Sequence, residues 1–125
     1  MTTRRTEPFR YSMVTPLLCW IEIREINEVA VNSKLAEVEL IDISKSGCRI
    51  QTRLDLRAST HQIAATVHVR LNEDLHKFPG SIRWQKEHEN AVFHYGLSLE
   101  LTDEMKECLN IELRSLAAAR RIVVL

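Results

Sequence analysis

The sequence predicts a mainly β protein: a small six-stranded antiparallel barrel or sandwich with one C-terminal α-helix packed against it. Three observations carry that prediction. Six successive segments alternate apolar and polar residues with period two. After Thr102 the period changes, once, to that of a helix. The chain has 125 residues, 45% hydrophobic and 27% charged, which is one domain with one core and too apolar for disorder.

The first strand is read at residues 17–24, where Leu17, Cys19, Ile21 and Ile23 share one face. Residues 26–31 extend it past a bend, and Asn32-Ser33-Lys34 reads as the turn. In the second strand, residues 35–43, Ala36, Val38 and Leu40 face one way and Glu37 and Glu39 the other. The phase then slips: Ile41 and Ile43 are apolar, while Asp42 and Ser44 are polar on the formerly apolar parity. A one-residue slip means a bulge or a sharp bend, a device that re-aims side chains. Gly47 follows, where a tight turn would use its freedom at positive φ. The third strand starts at Cys48, with Cys48 and Ile50 opposite Arg49 and Gln51. The fourth covers residues 62–71, with Ile63, Ala65, Val67, Val69 and Leu71 inside. The fifth surrounds Gly80, Ile82 and Trp84, which puts Trp84 in the core with Ser81, Arg83 and Gln85 outside. The sixth, residues 93–101, alternates Phe93, Tyr95, Leu97, Leu99 and Leu101 with His94, Gly96, Ser98 and Glu100. Thr102 and Asp103 are N-cap residue types. Met105, Cys108, Leu109, Leu113 and Leu116 form the apolar stripe of the helix that follows. Ile111, Ala118 and Ile122 form a second stripe, and Ile122-Val123-Val124-Leu125 is an apolar tail. Surplus apolar surface there is a candidate homo-oligomer contact.

Composition excludes several functions. Lys and Arg total 17, as do Asp and Glu, so the net charge is zero, unlike a protein sheathed for non-specific binding to duplex DNA. Seven dispersed aromatics, two Trp, two Tyr and three Phe, form no stacking platform for single strands. The three glycines, Gly47, Gly80 and Gly96, are too scattered for a phosphate-cradling loop. Cys19, Cys48 and Cys108 match no zinc or redox spacing and read as small buried hydrophobes. His88-Glu89 opens like a metalloprotease helix, but Val92 stands where the second histidine is needed. No serine occupies a nucleophile elbow, and no acid–base pair stands out, so an enzyme is not expected. No signal peptide or membrane span is read, and a reducing cytoplasm is the expected compartment.

Asp42-Ile43-Ser44-Lys45-Ser46-Gly47 joins the phase slip to a short carboxylate, a hydroxyl and a glycine turn. This Asp-x-Ser-x-x-Gly pattern resembles one of the two signatures of the PilZ domain. The resemblance runs over nearly the whole chain. Gly47-Cys48-Arg49-Ile50 is similar to the strand that the motif opens, Gly80-Ser81-Ile82-Arg83-Trp84 to a later strand ending in Trp, and Tyr95-Gly96-Leu97-Ser98-Leu99 to the last strand before the helix. The other signature, Arg-x-x-x-Arg, precedes the first strand. Here Arg10 matches its second arginine, and Arg5 stands one position too far out, with Thr6 in between.

The resemblance implies a six-stranded antiparallel PilZ-like β-barrel over residues 13–101, a flexible basic arm over 1–12, and a helix with apolar tail over 102–125. It also implies a ligand, cyclic di-GMP, with no cofactor and no metal. Arg5, Arg10, Asp42, Ser44, Gly47 and Arg49 are the expected ligand-binding residues. The chemistry suits them. A guanidinium pairs bidentately with phosphate or with the O6 and N7 edge of guanine, and stacks on bases. Asp42 would accept from guanine N–H groups, Ser44 would donate to phosphate or orient Asp42, and Gly47 would let backbone approach. The function expected is a receptor or adaptor whose arm orders on the ligand and signals to an unidentified protein partner, without DNA binding or membrane insertion. The alternative is a relative that has lost the ligand and acts as an interaction adaptor.

Overall fold

In the computed structural model, which describes residues 9–125, the first alternating segment belongs to a longer strand, β1 (Tyr11–Ile26). It begins two residues inside the stretch read as arm. Its first part shows no clean alternation because its register against its neighbour is irregular: Ser12 lies opposite Asp42 but Leu17 opposite Leu40. Five steps of β1 thus face two steps of its neighbour. Pro16, which has no N–H to donate, lies in the bulged stretch. The turn read at residues 32–34 falls within the non-strand stretch 31–35, and a sharper turn precedes it at the expected bend. Asn27 and Glu28 already turn the chain, at φ of 51° and 66°, into the two-residue strand β2 (Val29–Ala30). A two-residue connection with both positions left-handed matches the twist of a hairpin.

The remaining strands are β3 (Ala36–Ile43), β4 (Gly47–Thr52), β5 (Ile63–Arg70), β6 (Leu75–His88) and β7 (Val92–Leu99). All pairings are antiparallel. Neighbours run in the order β1-β3-β4-β7-β6-β5, and β5 pairs back onto β1. The expected six-stranded barrel is therefore closed, which leaves none of these six as a bare edge. Inside it, Cys19, Ile21, Val38, Leu40, Ile50, Val67, Phe78 and Tyr95 are buried in one cluster. Burial pushes the Cys19 thiol up to about 12, with the Glu39 charge adding to it, and pushes Cys48 up as well. Cys108 does not follow its expected burial and is exposed.

The helix α1 (Asp103–Ala118) is capped by Thr102, whose hydroxyl accepts from the Met105 N–H at 3.2 Å. Leu109, Leu113 and Leu116 enter the barrel's core cluster, each contributing about 1.5–3 kcal/mol by burial. Asn72, in the β5–β6 connection, donates to the Glu112 carbonyl at 3.2 Å and so fixes the helix on the barrel. Arg120, at φ 59°, ends the helix. The chain reverses into a short strand, β8 (Ile122–Val124), paired with the start of β1. The second helical stripe therefore does not exist: Ile122 lies beyond α1 and is buried in the core, whereas Ile111 is exposed on the helix. Among the described residues no helix is long and apolar enough to cross a membrane.

Candidate functional site

The phase slip in β3 is a bulge. Leu40 lies opposite Ile50, but Asp42 lies opposite Arg49, so β3 carries one more residue than β4 between the two pairs. Leu40 and Ile50 face the core. Asp42 is swung to the outer face beside Arg49. The row continues across the barrel, with Arg49 opposite Gly96 and Gly96 opposite Trp84. A second bulge sets the end of this row. Ile82 lies opposite Leu97 and Trp84 opposite Gly96, so Arg83 is the extra residue. Trp84 is accordingly not in the core, as its parity with Ile82 implied, but 39% exposed. Its indole fills the space where a side chain on residue 96 would stand: a Cβ on Gly96 would overlap Nε1 and Cε2 of Trp84.

Asp42 is 0% exposed, although its face looks outward. Two guanidinium groups cover it. Arg49 Nε lies 3.1 Å from Oδ2 and Arg10 Nε 3.8 Å from Oδ1. Among the described residues neither carboxylate oxygen has an aligned hydrogen bond. Burial raises the Asp42 carboxyl above its ordinary range, and Arg49 and then Arg10 pull it back. Both arginines remain partly solvent-accessible, at 45% for Arg10 and 37% for Arg49. They therefore present charge to solvent while the carboxylate below sets their position.

Ser44 is placed differently from the expectation. Its hydroxyl is buried in the β3–β4 turn, accepting from the N–H groups of Ser46 and Gly47 at 3.2 Å each and lying 3.3 Å from the Gly47 carbonyl. It closes the hairpin that holds Asp42 in line, a local side-chain turn, and does not reach Asp42. Gly47 does not have positive φ. Glycine is required there by close approach, since a Cβ would lie 2.6 Å from the Leu97 carbonyl oxygen on β7. Arg5 lies outside the described residues.

These side chains meet at a cleft of about 220 Å³ lined by Arg10, Ser46, Gly47, Arg49, Arg83, Trp84 and Ser98, among others, with no acidic residue among the described residues of its wall. Arg83 Nε donates to Ser98 Oγ at 3.0 Å, which sets its guanidinium on the same wall. Arg83 and Trp84 are functional candidates that strand alternation missed. Gly96 was the available signal, because a glycine inside a strand marks the close approach of another group. His94 lies two residues along the same face. Burial first, then His88 and Arg49, hold its imidazole below the ordinary range, so it adds little charge at neutral pH. Larger hollows lie elsewhere. One of about 460 Å³ has Glu25, Glu28 and His61 in its wall. Another of about 680 Å³ is mixed, with Leu18, Leu54, Glu37 and Glu39. Neither gathers several cations, so the smaller cleft is the one suited to an anion.

Comparison with known proteins bears on the family and the fold. The PilZ domain family model matches residues 4–115. No curated protein matches the sequence. Among solved structures, the chain is similar to the Bacillus subtilis inhibitor of motility (MotI/DgrA), with a TM-score of 0.60 at 14% identity. The match covers 96% of this chain and 55% of the other, so this chain spans about half the length of that relative. At that identity the likeness bears on the fold alone.

Proposed function

Because the chain belongs to the PilZ domain family, we propose that it is a cyclic di-GMP receptor whose basic N-terminal arm orders over the ligand and presents a new surface to a protein partner. PilZ domains are receptor and adaptor domains rather than enzymes, and binding alone is the activity proposed. The observation that carries the reading is the buried Asp42 carboxylate beneath two partly exposed arginines, at the edge of a cleft with a third arginine and an indole. Phosphodiester and guanine both suit that arrangement. Guanidinium groups pair with phosphate oxygens or with O6 and N7, and a flat indole or guanidinium stacks on a base. Asp42 acts chiefly through Arg10 and Arg49, as their positioning residue. Ser44 and Gly47 act by holding the turn. Arg5 supplies the second arginine of the arm, one residue farther out than the family spacing. An extended residue covers about 3.3 Å, a reach the arm makes up.

Calorimetric titration tests this directly. Wild-type protein is expected to bind cyclic di-GMP with Kd of about 1 μM or tighter. Arg10→Ala and Asp42→Ala are each expected to abolish measurable heat while remaining folded. Amide exchange over residues 1–12 is expected to slow on binding. Folded wild-type protein that shows no heat at about 100 μM ligand overturns the receptor reading and leaves a ligand-free adaptor.

A further inference from the structure

The start of β1 is poorly supported from the β3 side. Only Tyr11 and Ser12 pair with Ile43 and Asp42 before the register breaks, and residues 13–16 form the bulged stretch. On the other side β8 runs alongside without interruption. Tyr11, Ser12 and Met13 pair with Val124, Val123 and Ile122. The ladder is continued at both ends, by the Val14 N–H donating to the Arg121 carbonyl at 3.0 Å and the Leu125 N–H donating to the Arg10 carbonyl at 2.8 Å. The last of these bonds holds the backbone of the residue whose guanidinium faces Asp42 at 3.8 Å.

We infer that β8 is the positioning element for the Arg10 side of the cleft: the Leu125 N–H fixes the Arg10 backbone, so docking of β8 and binding of the ligand stabilise each other. The inference rests on the receptor reading for the identity of the ligand. Linkage makes the coupling reciprocal. If β8 favours the Arg10 position that binds ligand, ligand favours docked β8. The C-terminal segment after α1 therefore reports occupancy of a cleft whose lining it does not itself contribute to.

Proline tests the bond itself, because it removes the N–H. Leu125 and Val123 both have exposed side chains, so their replacement leaves the core intact. Leu125→Pro deletes the bond to Arg10. Val123→Pro acts at the position opposite Ser12, which alternation in an antiparallel ladder makes a hydrogen-bonded pair. Leu125→Ala keeps the N–H. The expected result is a Kd for cyclic di-GMP weakened about three- to tenfold by Leu125→Pro, the size of one hydrogen bond. Val123→Pro weakens it further, and Leu125→Ala leaves it within about twofold. In wild type, ligand slows amide exchange at Val123 and Leu125. Unchanged affinity in both proline variants, with unchanged exchange at β8, overturns the inference. Should wild type not bind, the receptor reading fails separately, and the ligand-free protein decides the role of β8. Leu125→Pro is then expected to speed exchange at Tyr11–Met13 and to move the Asp42 carboxyl titration, followed by carbon-13 NMR, to higher pH as Arg10 leaves it. No change in either overturns it.

Discussion

Asp42 in its ionised form is a cost to the fold. Its carboxylate is fully buried, its two arginines stand off at 3.1 and 3.8 Å, and burial outweighs them in raising its pKa. Asn keeps the size and removes the charge, and because Arg10 and Arg49 are both partly exposed, its removal leaves no unpaired charge buried, which is what makes breaking a buried pair costly. Asp42→Asn is therefore expected to melt no lower than wild type at neutral pH while its affinity for cyclic di-GMP falls at least tenfold, since Arg10 and Arg49 lose the group that aims them. The sign of the pH dependence follows from the raised pKa. A carboxyl held above its unfolded value, ordinarily 3.8, favours the fold most when protonated, and that advantage disappears as pH rises through the folded pKa. The melting temperature of wild type relative to Asp42→Asn should decline as pH rises from the ordinary carboxylate value of 3.8 through the raised pKa of the folded state. A rise over that range contradicts this account of the carboxylate. Asp42 was legible in sequence as the polar residue on an apolar parity. Its burial was not, because the groups that cover it come from β4 and from the residue just before β1, and Ser44 read as a ligand contact because a hydroxyl that closes a turn and one that binds phosphate look alike in one dimension.

Two bulges, each of one residue, build the site, and only one of them showed in the sequence. In β3 the slip moves a carboxylate onto a parity that had been apolar, so alternation visibly fails. In β6 the slip falls between Ile82 and Trp84, both apolar, and alternation continues undisturbed while the side chain changes face. Gly96 records the outcome, because the strand opposite leaves room for the displaced indole. Gly96→Ala is expected to push Trp84 off β7. Such crowding costs about 1–3 kcal/mol where neighbours are fixed, and less here because the indole is partly exposed and able to move. The expected readouts are a shift in tryptophan emission and a several-fold loss of affinity. The same substitution in a Trp84→Ala background should change neither stability nor binding further, as a double-mutant cycle tests. Additive effects contradict the placement of the indole. The six barrel strands and the helix were legible because each buries one face, and period two or 3.6 follows from that. The early part of β1 and all of β8 were not. Those residues pair at an irregular margin, where Met13 and Ile122 are buried singly and backbone hydrogen bonds, rather than a regularly alternating face, decide the conformation.

On the scale of the whole molecule the charges cancel, with 17 basic and 17 acidic side chains, yet Arg10, Arg49 and Arg83 gather at one cleft whose wall holds no acid among the described residues. Distance separates these two facts. Beyond a Debye length of about 10 Å at 0.1 M salt, a dianionic ligand meets an almost neutral particle and gains little steering. Inside the cleft it meets three guanidinium groups at close range, where salt screens far less. Association should therefore be nearly indifferent to ionic strength, and the charge of the site should appear in the rate of escape. Raising salt from about 0.1 M to about 1 M shortens the Debye length to about 3 Å. The expected change in kon by stopped-flow is less than about threefold, with the larger part of any affinity loss in koff. Arg83→Ala should raise koff and leave kon within about twofold, because it removes a short-range contact from a particle with no long-range field to lose. A kon that falls tenfold with salt in wild type contradicts this, and requires the basic arm, with Arg4, Arg5 and Arg10 against Glu7 as the one acid in residues 1–12, to act as a steering element ahead of contact.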